Sequence, residues 1–138
     1  MPPDTDFMSA SDIIQSNPHP AFTRVMEAGF ELWYQIEDDE LTIKATSSGD
    51  HIGEADFAEA DRTADIQNIL VRRNSRQGGM GTAICVLAVK LLGKPLRNIW
   101  SDSEITEVAR RKGEPDGESF FAFWRRLRVS YPELFVRG

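Results

Sequence analysis

Glycines and arginines are concentrated in one short stretch of the chain, and together they could hold a phosphate. The stretch over 71–83 reads VRRNSRQGGMGTA, with glycines at positions 78, 79 and 81. Glycine leaves the backbone amides unobstructed, and the free N–H groups at the start of a helix favour an anion. Arg72, Arg73 and Arg76 would add charge-assisted contacts to a phosphate. The stretch is neither a P-loop nor a G-x-G-x-x-G dinucleotide motif, and a tight turn without a ligand fits the glycines equally well.

The elements that must position this turn are predicted to be strands before it and helices after it. Residues 1–8 are predicted to be a loose tail, followed by two short helices that end near 17 and 29. Alternating patterns predict strands over 30–36, 41–46, 51–60 and 66–71. In the second half, helical spacing predicts helices over 81–92, 104–111 and 118–128. A short apolar run predicts a strand over 96–100. The fold class is therefore α/β (α+β), with an antiparallel meander followed by a βαβα unit that adds a parallel pair to a mixed sheet of five or six strands.

Length and composition limit the class of protein. At 138 residues, with 41% hydrophobic and 28% charged residues, the chain is predicted to be one globular domain over 1–138. Its one cysteine, Cys85, lies in an apolar helical pattern and is predicted to be a buried thiol. The longest apolar run, over 83–92, is too short to span a membrane, and no signal peptide is recognisable at the N-terminus. We therefore expect a cytoplasmic protein without a membrane partner.

Charge is distributed unevenly between the two halves of the chain. Residues 1–71 contain 15 Asp/Glu against Arg24, Lys44 and Arg62, whereas residues 72–138 contain 13 Lys/Arg against seven Asp/Glu. A basic face in the second half could hold a polyanion, either a nucleic acid or a phosphate-rich cofactor. The alternative is that the two halves attract each other across the fold. The overall net charge of −6 argues against non-specific DNA binding, which depends on neutralising phosphates.

The order of the elements resembles the Gcn5-related N-acetyltransferase (GNAT) family. In that family a strand leads into an Arg-x-x-Gly-x-Gly motif, here over 76–81, and then into a long helix, a strand and an aromatic-rich helix. The strand DIQNILV over 65–71 and the segment FWRRL over 123–127 resemble the matching family elements. The resemblance covers about half of the chain, over 64–129, which it identifies as the acyl-CoA-binding core. It implies an N-acyltransferase that moves an acyl group directly from acetyl-CoA, or another acyl-CoA, to an amine.

The resemblance also implies which residues bind the donor. The motif would hold the pyrophosphate on backbone amides from Gln77 to Thr82, and the preceding strand would align the pantetheine arm. No metal is implied. The implied cofactor-binding residues are Ile69, Leu70, Val71, Arg76, Gln77, Gly78, Gly79, Met80, Gly81, Thr82 and Trp124.

An amine must lose a proton before it attacks a thioester, so a carboxylate or an imidazole is expected near the reacting group. Asp65 matches the position where some family members carry a glutamate base, although an exposed acid at a strand edge is the other interpretation. Ser101 and Asp102 follow the carboxyl end of a predicted strand, where α/β sites form, but both could instead cap the next helix. His51 and Glu54 on the third predicted strand are weaker candidates.

Two departures from the family pattern leave alternatives open. Trp124 stands where family members often carry a tyrosine acid, and its indole cannot donate a proton. The C-terminus is predicted to be shortened, because the closing hairpin of the family is absent or reduced to one strand. Ser101-Asp102 at the end of the fifth predicted strand, followed by the helix with Trp124, resembles short acetyltransferase-like proteins of phages and mobile elements. The alternatives are a non-catalytic binding or inhibitory protein of this fold and a Mom-like enzyme that modifies nucleic-acid bases. The acceptor stays open among a small molecule, a protein amine and a nucleobase, as does a homodimeric state.

Overall fold

The computed structural model describes residues 6–71, 79–98 and 117–135. Within these ranges the chain forms six strands, four α-helices and one 3-10 turn. In chain order these are β1 (Met8–Ser9), α1 (Ser11–Ser16), α2 (Pro20–Glu27), β2 (Phe30–Glu37), β3 (Glu40–Ser47), β4 (Asp50–Glu59), β5 (Ala64–Val71), α3 (Met80–Leu92), β6 (Leu96–Asn98), α4 (Gly117–Ser130) and the 3-10 turn Pro132–Leu134.

The strands form one mixed sheet in the order β1-β2-β3-β4-β5-β6. Neighbours from β1 to β5 are antiparallel, whereas β6 runs parallel to β5 with Asp65 opposite Arg97. Phe135, near the C-terminus, forms an isolated parallel bridge with Leu96 of β6. The predicted α+β class, with a meander followed by a parallel pair in a sheet of five or six strands, is confirmed.

Two tight turns fix the register of the meander. β2 and β3 are joined by Asp38-Asp39, and β3 and β4 by Ser48-Gly49. Ser48 and Gly49 both have positive φ, 51° and 86°, as a two-residue hairpin turn of the primed type requires. Asp38 also has a positive φ of 54°, which aspartate tolerates better than most residues. The bounds predicted for β2 to β5 agree with the observed bounds to within about two residues.

The helices cover one face of the sheet. α3 packs on β3, β4 and β5, and α2 packs on α3 and β2. On β3 this face presents Leu41, Ile43 and Ala45, all completely buried, whereas the alternate residues Thr42 and Lys44 are half-buried. This period of two is typical of an antiparallel sheet with one face on the core. None of the described helices is long and apolar enough to span a membrane.

Three details differ from the prediction. Phe7 is buried and Met8 pairs with Tyr34, so the loose tail predicted over 1–8 does not include these two residues. β5 begins at Ala64, two residues earlier than predicted, because its first residues pair with both β4 and β6. The helix predicted over 104–111 and the last two residues of the predicted strand 96–100 lie outside the described residues.

Candidate functional site

The candidate phosphate-binding turn leads from the carboxyl end of β5 into α3. Gly79 is the N-cap of α3 and has a left-handed φ of 75°, which favours glycine. The first helical hydrogen bond runs from the Ala83 N–H to the Gly79 carbonyl, at 3.0 Å. The amides of residues 80–82 precede that bond and have no acceptor within the helix. The predicted residues Arg76, Gln77 and Gly78, with Arg72 and Arg73, lie outside the described residues.

An arginine from the acidic half of the chain lies at this turn. The guanidinium of Arg24, on α2, is so close to Gly79 that a Cβ built there would lie 3.5 Å from its Cζ and Nε. Arg24 cannot be recognised as a site residue from the sequence, because no local pattern connects it with Gly79, 55 positions away. The only signal is that it is one of three basic residues among the first 71.

Gly81 has a packing role in addition to the predicted ligand role. A Cβ at this position would lie 3.0 Å from Cε1 and 3.1 Å from Cζ of Phe123, so a side chain at residue 81 would require the Phe123 ring of α4 to shift by a few tenths of an ångström. The neighbouring Met80 is completely buried, and Thr82 is half-buried. Met80 therefore has no exposed surface in this structure, and its contact with a ligand stays a prediction.

Trp124, another predicted cofactor-binding residue, is part of the core. Its side chain is buried, and its ring meets Phe135 edge-on, with centroids 5.0 Å apart and an interplanar angle of 89°. A buried aromatic side chain contributes strongly to packing, and Trp124 thereby holds α4 against the C-terminal segment. Contact of Trp124 with a donor stays a prediction.

β5 carries a bulge halfway along its length. Asp56 pairs with Asn68, but the next residue of β4, Phe57, pairs with Ile66, so Gln67 is the extra residue on β5. The described pairs between β5 and β6 run from Ala64 to Ile66, directly before the bulge. Bulges re-aim side chains and leave one residue out of the ladder, and they are enriched beside active sites. Nothing in the residue types of this strand signalled the bulge.

Beyond the bulge, the predicted pantetheine-aligning residues point to opposite faces of the sheet. Ile69 is half-buried and packs against the core, as its pairing with Ala55 requires. Leu70, opposite Glu54, is 57% exposed on the other face. Val71 ends the strand at the start of the turn.

The predicted base, Asp65, is a buried carboxylate in an ion pair with Arg97, whose side chain is 55% exposed. Its Oδ1 accepts hydrogen bonds from Thr63 Oγ1 (2.6 Å) and Arg97 Nε (3.0 Å), and Arg97 Nη2 donates to Oδ2. The Asp65 side chain is only 9% exposed. The hydrogen bonds that Arg97 donates to Asp65, together with the charge of that carboxylate, raise the pKa of the Arg97 guanidinium above its ordinary value. The three hydrogen bonds to Asp65 use most of the about four lone-pair positions of the carboxylate, and its role as a base stays a prediction.

The other candidate acids and bases do not gather around Asp65. His51 and Glu54 lie on β4, with His51 Nε2 and Glu54 Oε1 4.0 Å apart, and both side chains are partly exposed. Asp65 pairs with Ala58, four residues along β4 from Glu54, which corresponds to about 13 Å. Ser101 and Asp102 lie outside the described residues.

Cys85 is excluded as a nucleophile by its surroundings. It lies in the middle of α3 and is completely buried. This burial raises the pKa of the thiol to about 12, so it carries no thiolate at neutral pH. The sequence-based prediction of a buried core thiol is confirmed.

Comparisons with known proteins give one structural similarity. No protein-family model matches the chain, and no curated protein matches its sequence. A solved structure, that of AAC(6')-Iy in complex with the bisubstrate analog CoA-S-monomethyl-acetylneamine, is similar over 79% of this chain and 89% of that chain. The two share 16% sequence identity, with a TM-score of 0.42. A similarity at this level transfers no residue role to this chain.

Proposed function

We propose that this protein is an acyl-CoA-dependent N-acyltransferase of the GNAT type, which moves an acyl group, most simply acetyl, directly from the thioester to an amine. The observation that carries the proposal is the junction of β5 and α3. There a left-handed Gly79 starts the helix directly after the turn, and the first helical amides follow an arginine-rich segment of the sequence. A helix N-terminus of this kind favours an anion, and the pyrophosphate of a CoA thioester is such an anion.

The donor would extend from this turn back along β5. Its pyrophosphate would lie on the amides from Gln77 to Thr82, with Arg76 in contact with a phosphate and Arg24 adding positive charge beside Gly79. The pantetheine arm would follow β5 past Ile69 towards the bulge at Gln67. The bulge leaves one residue out of the ladder with β4, and a backbone amide there would polarise the thioester carbonyl.

The proposed reaction is a direct transfer. The unprotonated amine attacks the thioester carbonyl, the C–N bond forms, the C–S bond breaks, and CoA leaves as a thiolate that takes up a proton from water. A thiol has a pKa near 8.5, so its thiolate leaves without an acid, which agrees with the burial of Trp124. General acid–base catalysis contributes about 10²–10⁴-fold, so we expect slow turnover. Asp65, through water, is the proposed base that takes the proton which the attacking nitrogen loses.

Binding of the donor is the first test. Calorimetry should show that acetyl-CoA binds the wild-type protein and that Gly79→Glu abolishes binding, because the new carboxylate would occupy the anion site. Gly93→Glu is the matched control. Gly93 ends the same helix, also has a left-handed φ, and a Cβ at this position would have no atom within 4 Å. The proposal fails if acetyl-CoA does not bind the wild type, or if Gly79→Glu and Gly93→Glu bind it equally well.

A second candidate is a non-catalytic protein of this fold that binds the donor without transferring the acyl group. It is favoured by the occupied carboxylate of Asp65 and by the burial of Trp124 where family members often carry an acid. Release of free CoA thiol, measured with acetyl-CoA and a panel of small amines, basic peptides and nucleobases, separates the two. Thiol release above the rate of spontaneous hydrolysis supports the transferase. Tight donor binding without release supports the second candidate.

A further inference from the structure

His19 joins the start of α2 to the C-terminal segment. It is the N-cap residue of α2, and its Nδ1 accepts a hydrogen bond from the Ala21 N–H at 3.1 Å. Pro20, between the two, has no N–H, so the Ala21 amide is the first donor of the helix that needs an acceptor. A ring nitrogen that accepts a hydrogen bond cannot carry a proton. The cap therefore requires a neutral imidazole with its proton on Nε2.

The same ring packs on aromatic residues from two elements. Its centroid is 4.9 Å from that of Tyr131 and 5.9 Å from that of Phe22. Tyr131 precedes the 3-10 turn, and the turn leads directly to Phe135, which pairs with Leu96 of β6. The orientation of the His19 ring therefore affects where residues 131–135 lie against the core.

The charged and titratable groups around His19 come from two further elements. Burial is the main cause that lowers the pKa of His19 below its ordinary value of 6.5, and Lys90 of α3 lowers it further. Glu133 in the 3-10 turn acts in the opposite direction. Tyr131 is the other titratable group in contact with the ring. Protonation would place a second N–H opposite the Ala21 N–H, so the ring must turn away from the helix.

We propose that neutral His19 is an acid-sensitive latch that holds residues 131–135 against the start of α2, and that protonation of its Nδ1 releases this segment. When the ring turns, the cap on Ala21 and the contact with Tyr131 are lost together. Because the folded protein favours the neutral form, the stabilisation is complete above the ordinary pKa of 6.5 and is lost as the pH falls through the lowered value. This inference does not depend on the proposed acyl transfer.

The test uses hydrogen exchange and NMR titration on the full chain. The Leu134 and Phe135 amides donate to the carbonyls of Tyr131 (3.1 Å) and Pro132 (3.2 Å), so their protection reports on the segment. After correction for the intrinsic pH dependence of exchange, their protection should fall about fivefold as His19 protonates, the ratio that corresponds to one cap of ordinary strength. His19→Asn keeps a capping side chain but cannot titrate, so its protection should not change with pH.

His51→Gln is the matched control, since the chain has only two histidines. It should keep the pH dependence of the wild type. The latch is refuted if His19 titrates at or above pH 6.5, if the protection of Leu134 and Phe135 stays constant through that titration, or if His19→Asn retains the pH dependence. The first two measurements use the wild-type protein, so they decide the question even if a variant does not fold.

Discussion

At the scale of single residues, Asp65 combines two roles that substitution can separate. It is the proposed base, and it is also the partner of Arg97 across the parallel pair of strands. We expect Asp65→Asn to lower turnover about a hundredfold, the low end of general base catalysis. Arg97→Gln breaks the same ion pair but keeps the carboxylate, so its turnover should stay within about threefold of the wild type or rise. The measurement is initial-rate kinetics at a temperature where both variants are folded.

Equal losses of turnover in the two variants would contradict the assignment of Asp65 as a base. The carboxylate would then act only through its contacts with Thr63 and Arg97. Asp65 was singled out from the sequence because it matches the position, at the start of the fourth predicted strand, where some members of the resembled family carry a glutamate base. Its partner was not, because Arg97 lies 32 positions away and only the parallel register places the two opposite each other.

Cys85 gives a second prediction at this scale. Since burial raises its thiol pKa to about 12, the folded protein should react with a disulfide reagent only as fast as it unfolds. Cys85→Ala should leave the rate of acyl transfer nearly intact. Mass spectrometry after incubation with acetyl-CoA should show no acylated Cys85. A burst of acyl-enzyme on this residue would overturn the direct-transfer mechanism.

At the scale of elements, Gly81 tests whether the glycines serve packing or binding. A Cβ there meets Phe123 at 3.0 Å, and overpacking of this kind typically costs about 1–3 kcal/mol. Alanine regains roughly 0.5–1 kcal/mol of helix propensity at this position of α3, so Gly81→Ala should lower the free energy of unfolding by a net of about 0.5–2 kcal/mol without any donor present, as measured by urea denaturation. Adding Phe123→Leu should restore most of the loss, because the smaller side chain makes room for the methyl group. If Gly81→Ala is as stable as the wild type, the packing role is wrong.

The elements themselves were largely predictable, because each has a local signal. The alternation in β3 and the helical spacing in α3 follow from the faces that these elements bury, and turns such as Ser48-Gly49 mark where strands end. β1 is only two residues long and has no period to detect. The bulge at Gln67 depends on how two strands pair, and nothing in the sequence of one strand specifies it. The cap on α2 was also missed, since histidine is not a usual N-cap residue.

At the scale of the whole molecule, one of the two predicted consequences of the divided charge, attraction between the halves, has a structural counterpart in the described residues, whereas a basic face in the second half stays a prediction. Two ion pairs join the halves: Lys94 Nζ lies 3.3 Å from Glu59 Oε2, and the Arg97 guanidinium pairs with the Asp65 carboxylate. Lys94 and Arg97, the two basic residues of the second half in these pairs, lie beside the amino end of β5, about 20 Å along the strand from the turn. They are therefore not the residues that would meet the phosphates. At the turn the relation is reversed, because Arg24 of the acidic half lies beside Gly79 of the basic half.

Donor binding should therefore connect the two halves and stabilise the whole fold. At a concentration of 100 times its dissociation constant, a ligand adds about 2.7 kcal/mol to the free energy of unfolding. Loss of a charged contact costs about 1.5–3 kcal/mol, so Arg24→Ala and Arg76→Ala should each weaken acetyl-CoA binding about tenfold or more. At the same acetyl-CoA concentration the added stability in each variant should then fall to about 1.4 kcal/mol or less.

Thermal unfolding with and without acetyl-CoA measures this added stability. Arg62→Ala is the control, since Arg62 is an exposed base of the same acidic half but lies before β5, at the opposite end of the strand from the turn. It should show the full shift of the wild type. An undiminished shift in Arg24→Ala would mean that the acidic half takes no part in donor binding. If Arg76→Ala keeps the full shift, the Arg-x-x-Gly-x-Gly motif over 76–81 does not bind the phosphates of the donor. The main support for an acyl-CoA donor is then lost.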